Sequence, residues 1–550
     1  MSDVTKTCRK SGKSFVVNEW EQDFLKKFDA PLPTLCAEER HRRRMAHRNE
    51  RKIYNDVCDL TGKPMISLYS PDKNLKVYSP EAWWGDDWNA RDYGRDYDFD
   101  RPFFEQFAEL QKDVPWLSLM NKNGENSDYC NITTDNKNCY LVFGGDFNED
   151  CMHSLFNMHC RDVSDVYWVN KSELIYDSMD CLRCYNLRYC QNSRGCSDSA
   201  FLFECKNCKK CFGCVGLNSK EYHIFNKQYE PEEYERRVEA YHLDTCSGVA
   251  RMKKEFEKFR LQFPHKFATI INCENSTGDI LTEAKNCQNC FSLGGPVEDL
   301  KDVFLAVSPV KNTASSDHIG HEVDFFYEIM GSCGGNFCAF CPYAWNSSDT
   351  FYCHIVDSCN NLFGCSNMRR AKYCILNKQY TKEEYEKMRA RIIEHMKSTG
   401  EWGEFFPIKD SLYAYNESVA QDFFPMTKDE ILTKGWKWKD EEVHKIGTGA
   451  DLPDSIHDVN DDICEKTLIC EKTGRPYRII PSELVFYKKM KVPVPRYAPE
   501  TRHEIRIAAR NPIRTWDRKC GKCETAIQTT YSPKRPEIVY CEQCYLTDFY

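Results

Sequence analysis

Two Cys-x-x-Cys knuckles close the chain, Cys520-Gly-Lys-Cys523 and Cys541-Glu-Gln-Cys544, about seventeen residues apart. A zinc ion takes four soft ligands in a tetrahedron, and two such knuckles supply them. Ile538-Val539-Tyr540 reads as a strand running into the second knuckle. The pattern predicts a structural zinc ribbon, with Cys520, Cys523, Cys541 and Cys544 as ligands and Zn2+ as the cofactor. Two unrelated pairs of reduced thiols are the competing reading.

A second run of thiols, Cys205-Lys-Asn-Cys208-Lys-Lys-Cys211-Phe-Gly-Cys214, has the spacing of three that invites an iron–sulfur cluster. An internal repeat argues otherwise, because it aligns these four with Val356, Cys359, Leu362 and Cys365. A slot that accepts plain aliphatics at two positions behaves as core, and free cysteine is a small buried hydrophobe. The alternative is a metal held by some of Cys181, Cys184, Cys205, Cys208, Cys211 and Cys214, or by Cys287, Cys290, Cys338 and Cys341. His318 and His321 could join the second set, and a redox or metalloenzyme would then follow.

Two further groups could bind partners. Arg40, Arg44 and Arg48 are spaced by four, on one helical face, and Arg502, Arg506 and Arg510 repeat the stripe. An arginine stripe beside a ribbon suits phosphate, which points to RNA or a ribonucleoprotein. A solvated face paired with local acids is the plainer reading. Residues 83–104 interleave Trp83, Trp84, Trp88, Tyr97 and Phe103 with aspartates. That segment is expected to wrap over the core as a cap, or else to dock a protein partner by aromatic anchors.

Two duplications organise the elements that must position these groups. Residues 8–84 superimpose on 470–546 without a gap, so that Cys8 falls on Cys470, Arg48-Asn49 on Arg510-Asn511, and Cys58 on Cys520. Phe212-Gly-Cys214 through Asn226-Lys-Gln-Tyr229 matches Phe363-Gly-Cys365 through Asn377-Lys-Gln-Tyr380, and each copy leads into a Glu-rich helix start. Between about 127 and 226, aromatic bursts such as Cys139–Phe143, Val166–Val169 and Ala200–Phe203 recur every ten to twelve residues among Asn, Asp, Ser and Gly. Such spacing predicts stacked short strands, a β-solenoid in preference to a sandwich. In the N-terminal ribbon copy only Cys58 survives, with Thr61, Ser79 and Ala82 at the other positions, so a metal-free relic is expected there.

The front half of each module resembles a small family of probable zinc ribbons, with Cys-x-x-Cys-Gly-x-x-Phe, a proline, then Cys-x-x-Cys-Arg. Here the family's second and fourth cysteines are Ser11 and Glu39, and the resemblance implies a second metal set of Cys8, Cys36 and Glu39. In the other copy Cys470 stands with Thr473, Ala498 and Thr501, and no metal is expected. The whole layout also resembles an uncharacterised cysteine-rich family of bacteria with very small genomes, to which no activity is attached.

With 550 residues, several units are expected, and a net charge of -9 gives no bulk attraction to nucleic acid or membrane. The 32 cysteines, with no apolar leader and no membrane-length apolar run, suggest a reducing cytoplasmic setting. Among enzyme signatures, no P-loop, dinucleotide fingerprint, nucleophile elbow or His-Glu-x-x-His occurs. The expected architecture is mixed and mainly β: a duplicated cysteine-rich β-solenoid with helical arms, flanked by duplicated ribbon-like modules. Its segments are 1–84 (degenerate module), 85–125 (acidic connector), 126–228 (first solenoid half), 229–268 (helical arm), 269–380 (second half), 381–469 (arm and linker) and 470–550 (module with the zinc ribbon). The expected role is a zinc-containing binding or scaffold protein that contacts RNA; a purely protein-binding scaffold is the runner-up.

Overall fold

The computed structural model of the protein describes residues 2–307, 309–440 and 449–549. Its centre is a pair of β-solenoids, one carrying a nine-stranded sheet and the other an eleven-stranded sheet, parallel except at the last strand of each. In the first, Glu149, Arg161, Glu173, Tyr185, Ser197, Lys209 and Glu221 lie side by side, each twelve residues after the last. Within a turn the backbone bends every third residue. Asn186, Tyr189, Asn192, Gly195, Asp198, Phe201, Glu204, Asn207 and Lys210 all have positive φ. A turn of twelve residues therefore has four corners, and each wall is three residues long.

Such walls explain the composition. Each sends one side chain inward, and the first bore is lined by Cys and Ser with Val, Ile175, Leu187 and Leu202 among them. All twelve cysteines between Cys130 and Cys214 occupy the same position of the three-residue wall. Their thiols stay reduced and donate to backbone carbonyls: Cys184 Sγ reaches Leu182 O at 3.4 Å and Ser193 O at 3.5 Å. Serine does the same work where it occurs. Ser178 Oγ donates to Tyr176 O at 2.9 Å and accepts from Cys190 N of the next turn at 3.0 Å. Left-handed corners cost free energy for any residue but glycine. Asn and Asp tolerate them best and recur there, bonded from turn to turn, as Asn186 to Asp198 at 2.9 Å and Asn289 to Asp302 at 2.7 Å.

The Asn-Lys-Gln-Tyr repeat ends each solenoid. Asn377 receives the N–H of Ser366 at 2.8 Å and donates to its carbonyl at 2.8 Å, so the amide stands in for one more rung. Asn226 does the same with Val215, at 2.9 Å both ways. Lys-Gln then folds back as a short antiparallel strand, and helices follow at Pro231–Glu239 and Lys382–Thr399. The second solenoid is less regular, with partners offset by eleven (Ile270, Leu281), twelve (Gly278, Cys290) and thirteen (Val297, Val310) residues.

The terminal modules share one design. Hairpins Tyr54–Val57 with Pro64–Ser67 and Trp516–Lys519 with Ala526–Thr529 occupy equivalent positions. Each module then pairs a short strand with the segment leading into one solenoid: Val77–Tyr78 with Trp116–Leu117, and Val539–Tyr540 with His265–Lys266. The modules also touch each other reciprocally. Lys52 meets Glu500 at 2.9 Å, and the equivalent residues, Arg514 and Glu38, meet at 3.5 Å. A contact in which residue i meets j and j meets i is the mark of a twofold interface. Residues 83–104 cap the end of the second solenoid, as expected. Arg369 stacks over Trp83, Trp84 and Trp88, and Trp83 and Phe103 are buried.

Because Asn377 is wholly buried and both its amide groups are engaged, Asn377→Ala should lower stability by about 2–3 kcal/mol. The half-exposed Asn226→Ala should cost less. Urea unfolding of the two variants checks the order.

Candidate metal centre and the buried arginines

Cys520 follows the hairpin strand Trp516–Lys519, and the turn after it is tied by Cys520 N to Thr525 O at 2.9 Å and Gly521 N to Val539 O at 2.8 Å. Glu524 completes the turn with φ of +61°. Cys541 immediately precedes the helix Glu542–Phe549, which carries Cys544 in its first turn. These elements bring one sulfur from each of Cys520, Cys523, Cys541 and Cys544 within 4.8 Å of the others. Sulfurs bound tetrahedrally at about 2.3 Å to one zinc stand about 3.8 Å apart; Cys523 and Cys541 Sγ are 3.7 Å apart. The four cysteines thus form a group that could hold a metal ion. Burial raises the Cys520 thiol, but the N–H groups of Cys523, Cys541 and Lys522 outweigh it and bring it down to about 6.

The relic copy keeps the same frame without the ligands. Ser79 N donates to Cys58 Sγ at 3.3 Å, just as Cys541 N donates to Cys520 Sγ at 3.2 Å. The Ser79 hydroxyl now caps the following helix at Ala82 N, 3.4 Å away. At the front of this module, Cys36 Sγ faces Ser11 Oγ at 3.7 Å, while Glu39 is turned to Arg42. Cys8, Cys36 and Glu39 are not gathered into a ligand set, which corrects the expected second site: the carboxylate has a closer cation. In the other copy Cys470 faces the Thr501 hydroxyl at 3.5 Å.

Among the described residues the C-terminal quartet is the one group of three or more metal-binding side chains that comes together. Cys205, Cys208, Cys211 and Cys214 are the four inward residues of one solenoid turn. Their thiols donate to Phe203, Lys206, Lys209 and Phe212 carbonyls at 3.3–3.5 Å. Val356 and Leu362, their aliphatic counterparts, are equally buried. Cys287, Cys290, Cys338 and Cys341 line the second bore in the same manner. His318 is not in a solvated loop but buried against Phe156 and Phe304, and exposed His321 does not join it.

The arginine stripes are not surfaces. Arg40, Arg44, Arg48, Arg502, Arg506 and Arg510 are 0–7% exposed. The helix Ala37–Met45 lies along the second solenoid, and Pro499–Ala509 along the first. Arg40 reaches Asp302 at 2.9 Å, and Arg44 reaches Asp317 at 2.7 Å and Glu328 at 2.8 Å. His41 meets Asp317 at 2.6 Å, and Arg48 meets Glu50 at 2.6 Å. On the other side Arg502 and Arg506 share Asp165 at 3.0 and 2.8 Å, and Arg510 takes Asp180 at 2.9 Å. Four helical residues rise about 6 Å, close to the roughly 4.8 Å between stacked turns, so Arg40 and Arg44 find Asp302 and Asp317 on successive turns, and Arg506 and Arg510 find Asp165 and Asp180. The functional residues missed by sequence reasoning are these acids, and their signal was faint: Asp165 and Asp177 recur at the period of one turn.

Burial pushes the Asp317 carboxyl up, but Arg44 and His41 hold it at about 2, below its ordinary 3.8. A depressed carboxyl stabilises the fold above its unfolded value and loses that contribution as pH falls through the folded one. Module docking should therefore weaken between about pH 4 and pH 2, read by near-ultraviolet circular dichroism. Arg44→Ala takes the guanidinium from two buried carboxylates, leaving Asp317 to His41 and Glu328 to Arg43, and should cost about 3 kcal/mol. Removing exposed Lys13, paired with Glu38, should cost under about 1 kcal/mol. Equal costs in thermal unfolding would refute the docking role of the buried arginines.

No protein-family model matches this chain, and no curated protein matches it. Two solved structures are aligned with parts of it. A putative acetyltransferase from Desulfovibrio desulfuricans G20 is 9% identical over 45% of this chain and 63% of its own, with a TM-score of 0.12. A UDP-N-acetylglucosamine acyltransferase from Campylobacter jejuni is 9% identical over 50% of this chain and 92% of its own, with a TM-score of 0.10. This chain therefore spans under two thirds of the first protein's length. At these scores neither likeness carries an argument about fold or activity.

Proposed function

We propose that this protein is a zinc-containing, non-catalytic scaffold whose metal secures the joint between the C-terminal module and the second solenoid. The observation that carries this reading is the closed quartet of Cys520, Cys523, Cys541 and Cys544. Four thiolates fill a tetrahedral zinc and leave no position for water or substrate, which is the character of a structural site. The quartet sits beside the strand pair Val539–Tyr540 with His265–Lys266, at the segment leading into the second solenoid. Holding that strand with metal stabilises the docking of the whole module. Contact with RNA through Arg40, Arg44, Arg48, Arg502, Arg506 and Arg510 is not part of this reading, because those guanidiniums are spent on buried acids. No helix of the described residues is long and apolar enough to cross a membrane.

Plasma mass spectrometry of anaerobically purified protein should find about one zinc per chain and no iron. Cys544→Ser should remove the zinc and raise amide exchange in 265–267 and 539–549, leaving 54–84 protected. Zinc retained by that variant, or a second equivalent elsewhere, would overturn the assignment.

A further inference from the structure

The two solenoids end alike, but among the described residues only the end of the second is covered by a segment laid across its last turn. On the second, the backbone of residues 85–97 lies across the last turn. Arg95 N donates to Leu376 O at 3.1 Å, Asn377 donates to Ala90 O at 3.1 Å, and Lys378 pairs with Asp96 at 2.5 Å. Gly94 lies so near Lys378 that a Cβ there would be 2.8 Å from its Cα. Phe99 fills the space beside the following helix, under Arg391, and Tyr97 bonds to His395 at 2.7 Å. Beneath this cap Met368, Ala371, Leu376 and Asn377 are at most 1% exposed.

Their counterparts on the first solenoid are Leu217, Lys220, Phe225 and Asn226, and none is buried. Lys227, the counterpart of Lys378, is exposed. The place that Tyr97 and Phe99 fill on the second solenoid is on the first a groove of about 780 Å³ between the last turn and the following helices. Phe225, Tyr229 and Tyr241 give it apolar walls; Lys227, Arg236, Arg237 and Arg251 line its rim, where Arg236 and Arg237 are paired with Glu233, and Glu255 is the one carboxylate of the lining.

We infer that this open end receives an extended acidic segment of a partner protein, bearing an aromatic side chain, laid across the last turn as residues 85–99 lie across the other. Charge complementarity selects the occupant: the covering segment carries Asp86, Asp87, Asp92, Asp96 and Asp98 against Arg91 and Arg95, a net negative strip, and the open end presents Lys220 and Lys227. The aromatic side chain enters the groove beside Phe225 and Tyr241. Arg369 has no counterpart, since Asn218 stands there, so the tryptophan stack of the internal cap is not required of the partner. The inference gives the proposed scaffold a docking site and rests on that reading.

The probe is a fluorescein-labelled peptide of residues 84–99 of this chain, titrated into the full-length protein by anisotropy. Saturable one-to-one binding is expected, weakened about tenfold or more by Lys220→Glu with Lys227→Glu and by added salt. The same peptide with its aspartates changed to asparagine should not bind. Both lysines are exposed, so circular dichroism of the double variant should be unchanged. Absence of saturable binding, or binding that survives the double variant, overturns the inference. So does binding lost on Lys378→Glu instead, which would place the peptide on the second solenoid. Oligouridine displacing the peptide would make the face a nucleic-acid site, and dimerisation lost on Lys227→Glu would give it to a second copy; either result overturns the inference. Zinc content measured on the same sample tests the scaffold's metal separately.

Discussion

A wall three residues long leaves room for one inward side chain, and most of this molecule follows from that constraint. The bore it encloses is too narrow for stacked leucines or aromatics on all four sides. Its lining must average small, with Ile and Leu interspersed among smaller neighbours, yet it must also answer the backbone groups at the corners. Cysteine and serine meet both demands, with a compact volume and a donor that reaches the carbonyl two residues back. Large side chains are driven outward, where Tyr167, Phe304 and Tyr352 form the aromatic flanks that join the solenoids to the modules. The abundance of thiols is thus a matter of volume and donors, and among the described residues one quartet alone is gathered so that it could hold a metal ion.

Outward corners that favour Asp and Asn have a second effect. They set carboxylates in register along the solenoid, as buried Asp165 and partly exposed Asp177 are, and the buried ones need cations beside them. A helix with arginine at every fourth residue provides them. Both modules keep this helix although the four thiols come together in only one of them, because its guanidiniums meet buried acids of a solenoid whether or not those thiols are present. Each module docks its helix on one solenoid and pairs a strand at the start of the other, so the pair behaves as an isologous dimer fused into one chain.

The duplications, the ribbon quartet, the solenoid and the cap at 83–104 were legible because each is written locally, in spacing or in self-similarity. The three-residue wall was legible too, in the constant phase of the cysteines from 130 to 214, but the aromatic bursts carry a louder signal at the period of a whole turn. The burial of Arg40 and Arg502 was not legible. A run such as Arg42-Arg43-Arg44 reads as solvated, and the acids that neutralise it lie in another part of the chain, where they resemble ordinary loop aspartates. Glu39 was misread for the same reason: a metal ligand and the partner of a neighbouring arginine are the same residue type until the neighbour's direction is known.

The crossed docking of the modules bears on how the chain is made. Arg40 pairs with a carboxylate 262 residues later, and Arg502 with one 337 residues earlier. A nascent chain can wind its first solenoid turn by turn, since every rung contacts only its neighbours. It cannot close either flank then: the N-terminal helix waits for a solenoid not yet synthesised, and the first solenoid waits for an arginine 337 residues further along. Until release, one set of arginines and one row of aspartates remain hydrated and apart. That charge keeps half-built chains soluble while their aromatic flanks are open. Completion of the last module then closes the assembly in a single late step, and chains truncated before residue 499 would lack it.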